Sequence, residues 1–213
     1  NTNFRNSLFF NRGKQHHSTT YSFLLNESQN LLSVGSVAAK NQSHQVQYQH
    51  LVKKSWLFNF SGSTTKTEST SENYPNRNFE IDGYQIEPKI GYLFSKNASW
   101  DIFYEFQQKE NQIGAFETLK QTRLGTSFTF NSEKGFSMNG EFSMYNNSYD
   151  GNALSAVGFQ MLEGLQPGKN QTWRLLLQKN LTQYLDVNIN YQGRNSETSK
   201  TIHTGNVQLR AFF

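Results

Sequence analysis

The chain has 213 residues, of which 35% are hydrophobic, 15% aromatic and 17% charged, and its formal net charge is +4. The absence of Cys excludes disulfides, thiolate catalysis and sulfur-ligated metals, and the scattered positive charge predicts no nucleic-acid surface. The low hydrophobic content is typical of disorder, but the 18 Phe, 10 Tyr and 3 Trp contradict a disordered chain.

Apolar and polar residues alternate along most of the chain, and this period of two predicts β-strands rather than helices. In the first half the apolar stripes are Phe4, Leu8 and Phe10; Tyr21, Phe23 and Leu25; Val46, Tyr48 and Val52; Trp56, Phe58 and Phe60; and Tyr84, Ile86, Ile90, Tyr92 and Phe94. Pro88 lies inside the last of these stripes, where it predicts either a weakened strand or a bulge.

The second half of the chain alternates more cleanly. Its apolar stripes are Trp100, Ile102, Tyr104 and Phe106; Leu124, Thr126, Phe128 and Phe130; Phe136, Met138, Gly140, Phe142 and Met144; Trp173, Leu175 and Leu177; and Leu185, Val187, Ile189 and Tyr191. Polar residues fill the opposite face, so the mean hydropathy is only −0.73, and no apolar run approaches the ~20 residues of a membrane-spanning helix. One apolar and one polar face favour the wall of a barrel that stands in lipid.

The last strand carries the most specific signal. Val207, Leu209, Ala211 and Phe213 share one face, which runs to the terminal aromatic residue, whereas the ends of soluble domains usually fray into water. This ending resembles outer-membrane β-barrel proteins of Gram-negative bacteria, in which a C-terminal Phe on such a strand is the assembly signal. The resemblance implies an all-β, transmembrane antiparallel β-barrel in the cell outer membrane. Its expected partners are membrane lipid, lipopolysaccharide and the barrel-assembly machinery.

The predicted connections alternate in length, and this alternation suggests an orientation. Short turns are expected at residues 12–15, 53–55, 95–98, 132–135 and 182–184, and long polar connections at residues 27–43, 61–83, 109–120, 147–171 and 193–200. Outer-membrane barrels place short turns on the periplasmic side and long loops outside. We therefore expect the C-terminus to be periplasmic.

The strand count bears on whether the barrel is complete. The stripes give about eleven strands, within a range of 10–12, over a single barrel domain at residues 1–213. A complete single-chain bacterial barrel has an even number of strands, so we expect the chain to be the C-terminal part of a larger barrel. The missing N-terminal signal peptide agrees with that expectation, and a miscount by one strand is the alternative.

Several charged residues are predicted to face the lumen. Asp101, Glu105 and Glu141 point inward from neighbouring strands, with Lys89 and Arg123 close enough to pair with them. A charged constriction or an active site would use such residues, but an ion-pair network filling the interior is the favoured interpretation. No Ser-His-Asp arrangement or metal-ligand spacing is found around the five His, so no catalytic, cofactor-binding or metal residue and no enzymatic activity are predicted.

The connection at residues 147–171, expected to be an extracellular loop, is unusually apolar. Its apolar side chains include Leu154, Val157, Phe159, Met161, Leu162 and Leu165. Val157, Met161 and Leu165 are four residues apart, which predicts a short amphipathic helix ending near Gly164 or before Pro167. A large apolar surface is normally packed against another part of the protein or against a partner. The segment is therefore expected to cap or plug the barrel mouth, to bind a protein partner, or to pack as an ordinary loop.

A second resemblance concerns the final third of the chain. The run QMLEGLQPGKN at residues 160–170, then Trp173 and GRNSE at residues 193–197, resembles the end of large, poorly characterised surface proteins of the Bacteroidota. The resemblance implies a non-enzymatic, membrane-anchored component of a multi-protein outer-membrane complex for secretion, uptake or barrel assembly. The alternatives are a transport barrel, either a pore or the end of a plugged energy-coupled receptor, and an outer-membrane hydrolase. A soluble β-sandwich is disfavoured by the terminal strand.

Overall fold

The computed structural model describes residues 1–12, 16–32, 35–182 and 184–211. The strands are β1 (Thr2–Phe10), β2 (His17–Leu32), β3 (Gly35–Val52), β4 (Trp56–Ser71), β5 (Phe79–Ser95), β6 (Ala98–Asn111), β7 (Thr118–Ser132), β8 (Phe136–Asp150), β9 (Gly168–Thr182), β10 (Leu185–Ser196) and β11 (Ser199–Ala211). A 3₁₀ helix lies at Pro75–Arg77 and one α-helix, α1, at Ala156–Leu162. Neither helix, nor any other in the described residues, is long and apolar enough to cross a membrane.

The strands form one antiparallel meander in which each strand pairs with the next along the chain. The all-β antiparallel fold and the count of about eleven strands are therefore confirmed. Among the described residues, no pairing joins β1 to β11, so the sheet is not closed. Because strand direction reverses at every step, β1 and β11 run in the same direction.

One face of the sheet, here called the outer face, is apolar and exposed. Side chains alternate along a strand and cross-strand partners share a face, so Phe58, Ile90 and Ile102 lie side by side in the register. Exposed large apolar side chains of this face include Phe60, Ile86, Tyr104, Leu124, Phe142, Met144, Val207 and Leu209. A continuous apolar surface that crosses eleven strands requires cover by lipid or protein.

Aromatic rings border this apolar band on both sides. At the end of the sheet where residues 53–55, 96–97 and 133–135 connect strands, here called the tight-turn end, Tyr92 contacts Trp56 and Phe94 with ring centroids 4.9 Å apart in each case. Towards the opposite end, the Tyr191 hydroxyl lies 2.8 Å from Nδ1 of His203, and Trp173 lies 5.6 Å from the same ring. Two aromatic borders around an apolar band are typical of membrane barrels.

Charged side chains of the outer face lie beyond this band. Among the described residues they occur at the opposite end, here called the loop end, apart from Lys179 at the tight-turn end. The loop-end charges are Glu27, Lys40, Lys66, Glu68, Glu80, Asp82, Glu110, Lys120, Asp150 and Lys169. Some are paired, as in Lys66 with Glu80 at 2.5 Å. The band between is free of charge, as a lipid-facing surface requires.

The strands extend further towards the loop end than the sequence predicts. The predicted long connections at residues 27–43 and 193–200 are wrong, because β2 ends at Leu32, β3 begins at Gly35, β10 ends at Ser196 and β11 begins at Ser199. The predicted connections at 61–83 and 109–120 are also too long, since only residues 72–78 and 112–117 lie between the strands. Among the described residues, only 151–167 form a long connection, shorter than the predicted 147–171. A tilted membrane strand needs about 9–11 residues. β3 has 18 residues, and its polar extension keeps the backbone ladder after the apolar alternation has ended.

Pro88 does not produce a bulge. Ile86 faces Phe106 and Lys89 faces Phe103, so the register of β5 against β6 is the same before and after the proline. The irregularity lies instead between Leu93 and Ser95, next to the turn. Pro88 therefore removes one donor from the ladder without shifting the strand.

Candidate functional site

The polar face, here called the inner face, carries a charge cluster centred on Arg123. The guanidinium of Arg123 donates from Nη1 to Oε2 of Glu105 at 3.3 Å, from Nε to Oγ of Ser143 at 3.1 Å, and from Nη2 to Glu141. Its plane also lies 4.6 Å from the Phe103 ring centroid. One cation thus joins β6, β7 and β8 across the interior, and every face of it is occupied.

Strand register and one glycine position this cluster. Glu105 and Arg123 are direct cross-strand partners, as are Phe103 and Gly125. A Cβ atom on Gly125 would lie 2.3 Å from Cζ of Phe103, so only glycine lets the ring lie flat over β7. The ring in turn lies against Arg123, which explains a buried aromatic side chain on a polar face.

The other predicted inner charges are nearby but not joined to Arg123. Asp101 accepts a long 3.5 Å hydrogen bond from Oγ of Ser127. Lys89 pairs with Glu87 at 3.8 Å rather than with the predicted carboxylates. Sequence analysis missed Glu87, although its position two residues before Lys89 on the same face was the available signal.

The apolar connection at residues 151–167 folds over the loop end of this face. α1 lies in the segment where the sequence predicts a helix. Its N-cap is Ser155, whose Oγ accepts a 2.9 Å hydrogen bond from the Gly158 N–H. It ends at Glu163, which adopts the left-handed conformation with φ of 53°. Both ends of the helix are thus closed by local hydrogen bonds.

Helix α1 packs its apolar side against the sheet. Val157, Met161 and Leu162 form a buried cluster with Ile81 of β5 and Leu119 of β7. Met161 and Leu119 are completely buried, which makes this cluster the apolar core of the described chain. Helix α1 therefore covers one end of the inner face of β5–β8.

A buried lysine fixes the helix to the sheet. Nζ of Lys109 donates to the carbonyl oxygen of Met161 at 3.1 Å and to Oε1 of Glu163 at 2.5 Å. A cation at the C-terminal end of a helix also complements the helix dipole. Sequence analysis placed Lys109 at the start of a loop, whereas β6 continues to Asn111 and points this side chain inward.

The return from α1 to β9 explains the residues of the QMLEGLQPGKN run. Glu163, Gly164 and Gly168 have positive φ values of 53°, 80° and 85°, so two of the three bends need glycine. The Asn170 side chain is buried, and its Nδ2 donates to the carbonyl oxygen of Gln166 at 2.7 Å. The run therefore encodes a tight return that holds residues 151–167, here called the cover, in place over the inner face.

The six apolar residues predicted to cap the barrel or bind a partner divide into two groups. Val157, Met161 and Leu162 are buried, and Leu165 is half-buried under the return. Leu154 and Phe159 point away from the sheet and are 92% and 71% exposed. One side of the connection is therefore used for packing, and the other is free among the described residues.

A cavity lies beside the cover on the inner face of β9–β11. It has a volume of about 460 Å³, and its walls include Glu141, Glu163, Leu165, Arg174, Arg194 and Thr204. Nη1 of Arg194 donates to the carbonyl oxygen of Gly164 at 3.1 Å, which ties the cover to β10. The cavity is thus bounded on one side by the return from α1.

The remaining predicted site residues belong to the terminal strand. Val207, Leu209 and Ala211 lie on the outer face of β11, opposite Ile189, Val187 and Leu185. Phe213 lies outside the described residues, so its place is not tested. Within the described ranges, no group of three or more His, Asp or Glu side chains is arranged to hold a metal ion.

Comparisons with known proteins bear on the fold. No family model matches the chain, and no curated protein matches it. Its structure is similar to the outer membrane channel DcaP of Acinetobacter baumannii, with a TM-score of 0.57, 8% identity, and 97% of this chain and 61% of that chain covered. The toluene transporter TodX of Pseudomonas putida aligns with a TM-score of 0.51, 8% identity, and coverage of 90% and 68%. At this identity the likeness shows the fold alone, which is that of outer-membrane β-barrels.

Proposed function

We propose that this chain forms the wall of a transport barrel in a bacterial outer membrane, with residues 151–167 as an internal constriction and no enzymatic role. The apolar outer face, bordered by aromatic rings, would contact membrane lipid. Its charged extension at the loop end would meet lipopolysaccharide head groups. The long connection at residues 151–167 lies at the loop end, which supports a periplasmic position for the tight-turn end and for the C-terminus.

The observation that supports this proposal is that the polar inner face is only partly covered. Helix α1 and the cluster around Arg123 fill the inner face of β5–β8, whereas a cavity of about 460 Å³ stays open beside them on β9–β11. A polar inner surface inside an apolar wall is the arrangement of a water-filled barrel. A loop folded into it narrows the path without blocking it.

Conductance across planar bilayers tests this proposal. The purified full-length protein should give a small, steady conductance, and replacing residues 153–165 with a short Gly-Ser linker should raise it several-fold. A matched control, Leu154→Ser with Phe159→Ser, alters the same connection only on its exposed side and should leave conductance unchanged. Folded protein that conducts neither with nor without the cover would contradict the transport role.

A non-enzymatic component of a multi-protein outer-membrane complex is the second candidate. Leu154 and Phe159 favour it, because two strongly exposed apolar side chains on a well-packed connection suit a protein contact. Purification of the native protein in mild detergent should then yield stoichiometric companions, identified by mass spectrometry. The double replacement of Leu154 and Phe159 by Ser should release them, while a lone barrel would count against this candidate.

Family, assembly and extent form a further part of the proposal. The resemblance of residues 160–170 to the Bacteroidota surface proteins would place the chain in that family, and secretion, uptake or barrel assembly would then be its setting. Residues 1–213 would contribute to one barrel, with the free edges of β1 and β11 paired by further strands, since lipid leaves no backbone group unpaired.

Phe213→Ser should impair insertion by the barrel-assembly machinery more than Phe212→Ser, as measured by outer-membrane fractionation. Equal effects would contradict the assigned faces.

A further inference from the structure

The cavity beside the cover is built like a ligand site. Its volume of about 460 Å³ falls in the range of about 300–1,000 Å³ that is usual for small-molecule sites. Leu165 and Ile202 supply apolar walls, and Thr172, Gln192 and Thr204 supply hydroxyl and amide groups. Two arginines, Arg174 and Arg194, complete the lining.

The two arginines of this cavity have no direct ion pair with its carboxylates among the described residues. Glu163 and Glu141 line it, but Lys109 binds the first at 2.5 Å and Arg123 binds the second. Glu163 is therefore paired with a cation outside the lining, whereas Glu141 shares Arg123 with Glu105 and is the cross-strand partner of Arg174. Neither Arg174 nor Arg194 has a carboxylate within 4.0 Å among the described residues, so both guanidinium groups remain without a direct ion pair.

The register places the two arginines at diagonal positions on the same face of neighbouring strands. Arg174 is the cross-strand partner of Gln192, and Arg194 follows two residues later on the same face of β10. Diagonal neighbours of this kind are about 7–8 Å apart, within reach of long side chains. Two guanidinium groups that line the same cavity repel each other, and an anion between them would remove the repulsion.

We propose that this cavity binds a small oxyanion, the carboxylate or phosphate group of a polar solute, between Arg174 and Arg194. The planar fork of each arginine matches the geometry of either group and forms paired, charge-assisted hydrogen bonds. Leu165 and Ile202 would contact the carbon skeleton of the solute. The inference rests on the proposed transport function and names the class of solute that the barrel passes.

Equilibrium binding to the full-length protein in detergent micelles tests the site. Inorganic phosphate and citrate, titrated separately by calorimetry, represent the two sources of the oxyanion. At least one should bind saturably with one site per chain. Arg174→Gln and Arg194→Gln should each weaken binding by about tenfold or more, since each removes charged hydrogen bonds. Arg174→Lys, which keeps the charge but loses the fork, should fall between wild type and Gln.

Arg210→Gln is the matched control. Arg210 lies on the inner face of β11 opposite Asp186, at the tight-turn end and outside the cavity. Its replacement removes the same charge from the same face and should leave binding unchanged. Heat-modifiable gel mobility verifies that every variant is folded. Equal weakening by the Arg210 and Arg174 variants, or no saturable binding of either anion to folded wild type, would overturn the site.

The outcomes separate the site from the transport role. Binding of phosphate alone or of citrate alone identifies the preferred oxyanion, and binding of both supports the shared chemistry. Because the titration needs no membrane, saturable binding by a non-conducting protein would contradict transport and retain the site. Conductance without binding would contradict the site and retain transport.

Discussion

The inner faces of β5–β8 and of β9–β11 follow the same alternation of side chains but differ in burial. Phe103, Glu105 and Ser143 of the first region are 4%, 6% and 0% exposed, whereas every described residue of β11 is exposed. The strands of the two regions differ little in pattern. Two features differ: α1 lies over one region and stops short of the other, and β11 is an edge strand of the described sheet.

Charged side chains have different surroundings in the two regions. Under the cover, Arg123 is completely engaged by carboxylates, a hydroxyl and aromatic rings. Beside the cover, Arg174 has no ionic partner among the described residues. Charges in the covered region therefore stabilise the fold, and charges in the open region remain available to a solute.

Breaking the covered ion cluster should have the largest effect. Arg123→Ala leaves Glu105 buried without its cation, so we expect the free energy of unfolding to fall by about 3–5 kcal/mol. Lys169→Ala breaks the exposed pair of Lys169 with Glu197 and should cost only about 0–1 kcal/mol. Urea unfolding in lipid vesicles measures both. Similar losses would show that the covered region is no more buried than the open one.

The apolar core under the cover comes next. Leu119→Ala creates a cavity at a completely buried position, which should cost about 2–5 kcal/mol and loosen α1. Ile202→Ala on the open inner face should cost less than about 1 kcal/mol, since that side chain is already 44% exposed. Protease cleavage within residues 151–167 should speed up only in the Leu119 variant, and unchanged cleavage there would argue against packing of the cover.

The outer face gives a test within the open region itself. Ile189→Lys should destabilise the protein by about 2–4 kcal/mol, because a charge would face mid-bilayer. Asn188→Lys places the same charge on the inner face of the same strand and should be tolerated. Unfolding in vesicles compares the two variants. If the Asn188 variant were the less stable, the two faces would have to be exchanged.

The smallest expected effect concerns the connection between β4 and β5. The Glu72 carboxylate accepts a 2.9 Å hydrogen bond from the backbone N–H of Ser36, which lowers the pKa of Glu72 below its ordinary value of 4.5. Its contribution to stability is present above that value and is lost as the pH falls through the folded-state pKa. Carboxyl NMR should find the Glu72 midpoint below 4.5, and a midpoint at or above 4.5 would contradict the bond.

Local alternation was enough to predict the faces of the strands. Stripes such as Val187, Ile189 and Tyr191 assigned the outer face and yielded the strand count, because lipid and lumen act on each residue independently of distant ones. The loop-end extensions were not predictable in this way. Where both faces of a strand lie beyond the apolar band, as in residues 27–32 and 35–43, alternation disappears although the ladder continues.

The site itself depended on tertiary structure. The sequence located Glu105, Arg123 and Glu141 on one face and a helix near Met161, since both follow from periodicity. It did not indicate that Lys109 holds that helix, or that the helix covers β5–β8 and leaves Arg174 free. The contacts of Lys109 with Met161 and Glu163 join residues more than fifty positions apart in the chain, and only the packing of α1 on the sheet brings them together.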